Sequence, residues 1–319
     1  MAPAPASEPS FAPVLRENFP DAFVLLHRGQ FIAYSTNDGP NVPMATSADL
    51  VHWAFVTNPD GKRRDAMPKL APWAKTGFTW APEVLQLGNK FLLYYTANYP
   101  KKDLQCIGVA VASDPLGPFA DNSPEPLVCQ FDLGGSIDAD PFRDSDGKLY
   151  LYFKSDGNRI GKHTEIWGQQ LAADGLSVLA QSVALLHDDN SWEQHLVEAP
   201  SMVHSPLGYE LFFSAAYFGW NDDQRLSPYG MGFASCSTAL GPCTKSPENP
   251  LLHSFRDTEA GCLSGPGHQS IFQVGARSFM SFHAWEASSG CRKVGDKRLM
   301  YIAPLFWRDG RPQISPSLR

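Results

Sequence analysis

The sequence predicts an all-β fold, a single five-bladed β-propeller, and three observations support this prediction. Short runs of β-branched and aromatic residues follow one another along the chain, separated by Gly, Pro, Asn and Asp turns. Helical periodicity is nearly absent, and 27 prolines and 26 glycines in 319 residues leave little room for long helices. A strand-and-turn unit also recurs at a wide spacing, which is typical of a repeat architecture.

The predicted strands are six runs in which apolar and aromatic residues dominate. They are Phe23-Val-Leu-Leu, Phe31-Ile-Ala-Tyr, Phe91-Leu-Leu-Tyr-Tyr, Leu149-Tyr-Leu-Tyr-Phe, Leu211-Phe-Phe-Ser and Phe279-Met-Ser-Phe. Such residues favour a pleated, partly buried surface. We expect these runs to form short antiparallel strands.

The repeated unit is an apolar strand followed by a Ser-x-x-Leu-Gly-Pro turn. One copy is Ile107-Gly-Val-Ala-Val-Ala with its turn at 113–119, and the other is Met231-Gly-Phe-Ala-Ser-Cys with its turn at 237–243. The turns are separated by two units of about 62 residues, and a unit of that size predicts about five copies. We expect each copy to be a four-stranded antiparallel sheet with an aromatic inner strand. Two β-sandwiches would give similar strands, but no linker divides the chain.

Composition and charge exclude several classes of function. Hydrophobic residues make up 43% of the chain and charged residues 18%, which fits a packed core. The net charge is -7 and no basic run is present, so nucleic acid is a poor candidate partner. No apolar run approaches the roughly 20 residues that span a bilayer. We expect a monomer that is not embedded in a membrane.

The N-terminal residues are small and rich in proline and lack the basic and apolar regions of a signal peptide. They resemble a spacer that remains after a signal peptide is removed, and an ordinary cytosolic terminus is the alternative. We therefore predict a flexible segment at residues 1–14 and one catalytic domain at residues 15–319. The predicted location is secreted or periplasmic.

Six cysteines are present, and no Cys-x-x-Cys pair suggests a zinc site. An even number fits three disulfides in an oxidising compartment, although fifteen pairings are formally available. Sequential pairing is favoured because it would join neighbouring strands, and six reduced cysteines are the alternative. The predicted bonds are Cys106–Cys129, Cys236–Cys243 and Cys262–Cys291.

Three acidic residues, Asp21, Asp138 and Glu198, lie where an apolar strand begins or ends. In a propeller the innermost strand of each blade starts near the axis, so these carboxyl groups would meet at one mouth of the central channel. Carboxylates that crowd together raise one another's pKa, which keeps one protonated. Hydrolysis of a glycosidic bond needs such an acid opposite an ionised carboxylate. Singly, each acid could instead be a turn or strand cap.

Motifs around these acids are similar to those of glycoside hydrolase family 43 over nearly the whole chain. Ile137-Asp-Ala-Asp precedes Phe142-Arg-Asp-Ser-Asp-Gly-Lys-Leu-Tyr-Leu, and the matching runs include Trp80-Ala-Pro-Glu-Val, Val197-Glu-Ala-Pro and Gly265-Pro-Gly-His. The chain departs from the family pattern at three positions near the acids: Ala22, Ala139 and Ala199. The resemblance implies a five-bladed propeller that hydrolyses glycosides with inversion at the anomeric carbon.

The resemblance also implies roles for the acids. Asp21 would be the general base that activates water, and Glu198 the general acid that protonates the leaving oxygen. Asp138 would hold the pKa and the orientation of the acid, with Asp140 as a nearby competitor for that role. For an inverting pair, the carboxyl groups of Asp21 and Glu198 should lie roughly 6.5–9.5 Å apart.

Three further residues are candidates for binding substrate. Arg298 resembles the family's substrate-facing arginine, which would hold Asp138 ionised or bind sugar hydroxyls, although a surface arginine beside Asp296 is the alternative. Trp80 could stack on a sugar or fill a blade. His268 resembles a histidine at the axis, next to calcium or substrate, and a core histidine is the alternative.

We expect no required cofactor, with a structural calcium ion at His268 as a hypothesis. The run Asp144-Ser-Asp-Gly lacks the last acidic ligand of a calcium loop, so it is predicted to be a hairpin turn.

The expected substrate is a plant-type polysaccharide or oligosaccharide, and the expected activity is that of an α-L-arabinofuranosidase or arabinanase. This preference rests on the absence of a β-sandwich after the propeller, because the family's large xylosidases usually carry one. A β-D-xylosidase or galactan-cleaving enzyme is the nearest alternative. A fructan-cleaving retaining hydrolase is a second, although Phe142-Arg-Asp is not followed by proline here. A non-catalytic sugar-binding propeller is the third.

Overall fold

The short apolar runs form strands because their side chains are buried between stacked sheets. In the computed structural model, which describes residues 11–222, 225–257, 261–316 and 318, five antiparallel sheets lie in a ring and form a five-bladed β-propeller. All six predicted runs are strands. The predicted fold is therefore confirmed.

The first described strand is β1 (Pro13–Leu15), and the others follow blade by blade. The first blade contains β2 (Phe23–His27), β3 (Gln30–Tyr34), β4 (Met44–Ser47) and β5 (Ala54–Phe55). The second contains β6 (Lys75–Leu87), β7 (Lys90–Tyr99) and β8 (Leu104–Ala112). The third contains β9 (Ser136–Arg143), β10 (Leu149–Ser155), β11 (Glu165–Leu171) and β12 (Val183–His187).

The fourth blade contains β13 (Val197–Ser205), β14 (Gly208–Ala215), β15 (Gly230–Cys236), β16 (Cys243–Lys245) and β17 (Leu252–His253). A hairpin of β18 (Phe255–Asp257) and β19 (Gly261–Leu263) follows it. The fifth blade contains β20 (Gly267–Val274), β21 (Arg277–Ala287), β22 (Lys293–Arg308) and β23 (Arg311–Ile314). Three 3₁₀ helices lie in the described connections: Phe131–Leu133, Gly157–Ile160 and Ser191–Glu193.

The ring is closed by contacts between the inner strands and by strand pairing within the fifth blade. The inner strands β2, β6, β9, β13 and β20 contact one another in that order, and β20 contacts β2. Strand β1 pairs with β22, so the start of the described chain completes the fifth blade. This strand begins at Pro13, shortly before the expected domain boundary, and residues 1–10 lie outside the described residues.

Apolar side chains of the described residues form five clusters, one between each pair of adjacent blades. The aromatic runs at Phe31, Phe91, Leu149, Leu211 and Phe279 form the second strand of their blades, so the expectation of aromatic inner strands is wrong for these five. The physical reason is burial, because β7 and β10 are covered by blades on both faces. In the described chain the second blade has three strands, where four were expected.

The repeated turns follow β8 and β15, which are equivalent strands two blades apart, as the repeat predicts.

The cysteines form the three predicted bonds, Cys106–Cys129, Cys236–Cys243 and Cys262–Cys291. The run at Asp144 is a hairpin turn, closed by a hydrogen bond from the N–H of Asp144 to the carbonyl of Lys148. No helix among the described residues is long and apolar enough to cross a membrane.

Candidate active site

Each blade carries one residue with a left-handed backbone where its inner strand approaches the axis. These residues have φ angles between 42° and 58°, which non-glycine residues seldom adopt: Asp21, Ala81, Asp138, Ala199 and His268. Such a conformation persists only where its surroundings hold it. Here the backbone N–H of each residue donates to a side chain of the preceding blade: His283, Thr36, Thr96, Asp138 and Ser214, respectively.

This repeated conformation sets the direction of the side chains at the mouth of the channel. Asp21, Asp138 and His268 occupy equivalent positions in their blades, and Glu198 directly precedes the equivalent Ala199. The three acids line one pocket of about 440 Å³. The three expected binding residues, Trp80, His268 and Arg298, line it as well. All six predicted site residues therefore meet in one place.

Asp21 is surrounded by donors and positive charge. Its Oδ1 lies 3.0 Å from an Arg298 nitrogen, 3.1 Å from His283 Nδ1 and 3.4 Å from His268 Nδ1. Burial alone would raise the pKa of Asp21, but Arg298 and the two histidines hold it well below its usual value. Asp21 is therefore an ionised carboxylate that is itself almost fully buried at the edge of the pocket.

Arg298 was expected to hold Asp138 ionised or to lie on the surface beside Asp296. Both expectations are wrong, because Arg298 pairs with Asp21 and Asp296 pairs with Lys293. The reason is that β22 runs beside β21 in the fifth blade and brings residue 298 next to the start of the first blade, where the ring closes.

Glu198 is held by a buried lysine and a tyrosine. Lys154 Nζ lies 3.0 Å from Glu198 Oε2, and Tyr229 donates a hydrogen bond of 2.7 Å to Oε1. Burial would raise the pKa of Glu198, but the charge of Lys154 and the hydrogen bond from Tyr229 outweigh it and lower the pKa. Lys154 remains a cation, since the charges of Glu198 and Asp156 overcome the effect of its own burial on its pKa.

Asp138 connects the third blade to the residue after Glu198. Its Oδ2 accepts a hydrogen bond of 3.0 Å from the backbone N–H of Ala199. Burial, with the negative charge of Glu198 adding to it, raises the pKa of Asp138 to about 6. Asp138 and Glu198 therefore have opposite pKa shifts within one pocket.

Asp140, which the sequence offered as an alternative to Asp138, does not line the pocket. Its Oδ2 accepts a hydrogen bond from the N–H of Met202, and its carboxyl group shares a hydrogen bond with Glu83. Burial raises the pKa of Asp140 to about 7, and burial together with Asp140 raises that of Glu83. Both carboxyl groups are buried, and the raised pKa values favour the protonated form of each.

Trp80 is half-buried in β6 and lines the pocket, and the side chain of His268 is 12% exposed. Calcium takes six to eight oxygen ligands. His268 does not belong to any described group of three or more His, Cys, Asp or Glu side chains with ligand atoms close together. A structural calcium ion at His268 stays a prediction, and we assign no step to one.

Four residues of the site were not found from the sequence: Thr36, Lys154, Tyr229 and His283. They lie on second and third strands, or one or two residues outside them, where a polar residue in an apolar run resembles an ordinary strand position. A larger cavity of about 720 Å³ near Arg28 and Gln86 has one lining carboxylate, Asp114. It does not offer the paired acids of the smaller pocket.

Comparison with known proteins agrees with this architecture. The sequence model described as glycosyl hydrolases family 43 matches residues 11–312. The chain is 28% identical to "Xylosidase/arabinosidase 43A" of Humicola insolens over 72% of this chain and 74% of that protein. It is 24% identical to an extracellular exo-α-(1→5)-L-arabinofuranosidase of Cellvibrio japonicus over 88% of this chain and 82% of that protein.

Among solved structures, a thermostable family-43 glycoside hydrolase is similar over 97% of this chain and 98% of its own, with a TM-score of 0.81 and 26% identity. The family match spans almost the whole described propeller and includes every residue that lines the pocket. It leaves the fructan-cleaving and non-catalytic alternatives without support. The chain belongs to glycoside hydrolase family 43.

Proposed function

We propose that this protein is an inverting glycoside hydrolase that releases α-L-arabinofuranosyl groups. One observation carries the proposal. A single pocket holds an ionised carboxylate, Asp21, together with the proton-binding pair Asp138 and Glu198. Hydrolysis with inversion requires a base that is ionised and an acid that is protonated at the same pH.

Asp21 is the general base in this proposal. Its low pKa keeps it ionised, and hydrogen bonds from Arg298 and Thr36 fix its carboxyl group. A water molecule that donates to Asp21 is held for attack on the anomeric carbon. The proton of that water passes to Asp21 as the bond between oxygen and carbon forms.

Glu198 is the general acid, and it draws on the proton of the Asp138–Glu198 pair. Two coupled carboxyl groups titrate as a unit, so the proton belongs to the pair. In the free protein the proton favours Asp138, because Lys154 and Tyr229 stabilise ionised Glu198. Asp138 also contacts the backbone next to Glu198, which supports a role in orienting the acid. When the proton of the pair moves from Asp138 to Glu198, Glu198 passes it to the leaving oxygen as the glycosidic bond breaks, and Asp138 is left ionised.

The arabinofuranoside preference rests on relatives whose matched region covers most of both proteins. The Cellvibrio japonicus enzyme is named for arabinofuranose, and the Humicola insolens enzyme is named for both xylose and arabinose. A β-D-xyloside is therefore the second candidate substrate. Trp80 and Phe218 give the pocket two aromatic surfaces, which suit the apolar face of a sugar ring.

We also propose that the protein acts outside the cytoplasm. The three disulfides are stable in an oxidising compartment, and the Cellvibrio japonicus relative is named as extracellular.

A panel of 4-nitrophenyl glycosides tests the substrate directly. The α-L-arabinofuranoside should be cleaved with the highest kcat/KM, followed by the β-D-xyloside. Asp21→Asn should remove both activities, and Asp38→Asn is the matched control because Asp38 pairs with Arg63 and does not line the pocket. Hydrolysis of the β-D-xyloside alone would assign the second candidate. Cleavage of neither would contradict the proposed sugar specificity.

A further inference from the structure

Two histidines and an aspartate meet at the rim between the third and fourth blades. His163 lies two residues before β11, and Asp188 directly follows the end of β12. His195 lies in the connection that leads into β13. One ligand atom from each of the three side chains lies within 4.8 Å of the others.

The chemistry of this group is that of a transition-metal site. His163 Nδ1 lies 2.8 Å from Asp188 Oδ1, and the rings of His163 and His195 are 5.4 Å apart. Imidazole nitrogens suit zinc, copper and nickel, whereas calcium and magnesium prefer sets of oxygen ligands. Two imidazoles and one carboxylate with an open fourth position is a known ligand set for Zn²⁺. We propose that His163, Asp188 and His195 bind a Zn²⁺ ion.

The three ligands differ in exposure in a way that suits binding from solution. The side chain of Asp188 is 2% exposed, so its carboxylate is a fixed anchor at the base of the group. The side chain of His163 is 70% exposed and His195 is exposed, so both rings can turn toward an incoming ion. A metal that binds here reaches the buried carboxylate between two movable imidazoles.

The loop that carries two of the ligands is held in place by other contacts. Asn190 and Glu193 form a reciprocal capping box, and Lys245 Nζ contacts Asp189 at 2.6 Å and Glu193 at 2.7 Å. These contacts fix the loop without the metal. They also occupy the two neighbouring carboxylates, which leaves Asp188 as the acid that faces the histidines.

The backbone around His195 is also unusual. Gln194 and His195 have φ angles of 49° and 63°, and two successive non-glycine residues in this region are uncommon. Such conformations persist where the fold holds them and are frequent at functional sites. In this loop the conformation places the His195 ring beside His163.

The metal site adjoins the glycosidase pocket. Leu196, which follows His195, lines both the pocket of the acids and the cleft beside His163, and so does Tyr217. Glu198 lies two residues further along the chain. A bound Zn²⁺ therefore ties the third blade to the fourth at the wall of the pocket, without contacting the acids.

The test uses tag-free protein that has been stripped with EDTA and then dialysed. Titration calorimetry with ZnCl₂ should show one bound ion per chain, and Zn²⁺ should raise the melting temperature, because a ligand that binds only the folded state stabilises it. His163→Ala and His195→Ala should each weaken binding at least about tenfold. His52→Ala is the matched control, since His52 is also an exposed histidine 2.7 Å from an aspartate and does not belong to the three-residue group.

A second measurement on the unaltered protein does not depend on how the variants fold. Co²⁺ added in place of Zn²⁺ should produce the visible absorption of a cobalt ion with fewer than six ligands. The proposal is overturned if Zn²⁺ in excess gives neither heat nor a change in melting temperature. It is also overturned if both histidine variants bind as the unaltered protein does, or if Co²⁺ keeps the spectrum of the hydrated ion.

Discussion

Lys154 Nζ lies 3.0 Å from Glu198 Oε2, and the lysine side chain is 1% exposed. The same ammonium group lies 3.6 Å from Asp156 Oδ1. A buried cation beside the proposed acid lowers the pKa of Glu198 and opposes the rise in the pKa of Asp138. Lys154 therefore bears on the pH at which the pair loses its proton.

The first prediction concerns this lysine. Lys154→Met removes the positive charge, so the pKa values of Glu198 and Asp138 should both rise. The alkaline limb of kcat/KM, which we expect near the pKa of about 6 of Asp138, should move to higher pH. The position of the limb does not depend on the fraction of the variant that is folded. Lys148 is an exposed lysine in the same blade, and Lys148→Met should leave the alkaline limb in place. An alkaline limb that also stays in place in Lys154→Met would contradict this prediction.

The second prediction concerns the proton donor. Glu198→Gln should slow hydrolysis of oligosaccharides, whose leaving groups are poor, by about 10² to 10⁴-fold. Aryl glycosides with acidic phenols should lose much less activity, because their leaving groups need little protonation. Steady-state kinetics on both substrate types measures the difference, with Glu165→Gln as a control outside the pocket lining. Equal losses on both would remove Glu198 from the role, and a selective loss in Asp138→Asn instead would assign the role to Asp138.

The third prediction concerns the ionised base. Arg298 lowers the pKa of Asp21, so Arg298→Met should raise that pKa. Because Asp21 must be ionised to accept a proton, the acid limb of kcat/KM should move to higher pH. Arg277→Met is the control, since Arg277 does not line the pocket. An acid limb that stays in place in Arg298→Met, whatever the change in KM, would show that the pairing does not set the charge of Asp21.

The fourth prediction concerns stability and the buried pair of Glu83 and Asp140. The pKa of Asp140 is about 7 in the folded protein and about 3.9 in an unfolded chain. The stability that this group contributes is fully present below the unfolded value and is lost as the pH rises through the folded value. The free energy of unfolding should therefore fall between about pH 4 and pH 7 because of this group.

Glu83→Gln removes one of the two acids, so the free energy of unfolding should fall less with rising pH in this variant. The melting temperature of the variant minus that of the unaltered protein should be larger at about pH 8 than at about pH 5. Differential scanning calorimetry at the two pH values measures the gain, with Glu165→Gln as the control. If the difference in melting temperature between the variant and the unaltered protein were the same at both pH values, the raised pKa values of Glu83 and Asp140 would be contradicted.

Much of the fold could be predicted because the evidence for it is local. The strand runs and the repeated Leu-Gly-Pro turns are visible in short windows, and their spacing predicts the number of blades. The three acids and their common pocket followed from the motifs and from where inner strands begin. These features depend on neighbouring residues and on the geometry common to all propellers.

The partners of the acids could not be predicted, because they depend on how blades pack. Lys154 follows an aromatic run and resembles an edge residue until the fourth blade covers it. Arg298 and Asp21 are 277 residues apart and meet only where the ring closes. The left-handed backbone at Asp21, Asp138 and His268 could not be read from a glycine or asparagine at these positions. Side chains of the preceding blade hold this conformation.

The stereochemistry of hydrolysis tests the central claim most directly. If Asp21 activates water and Glu198 protonates the leaving group, one displacement at the anomeric carbon must invert its configuration. Proton NMR of the sugar first released from the best aryl glycoside, recorded before mutarotation, should show the inverted anomer. A first-formed product with retained configuration would contradict the account, because it would require a covalent glycosyl intermediate on a nucleophilic carboxylate.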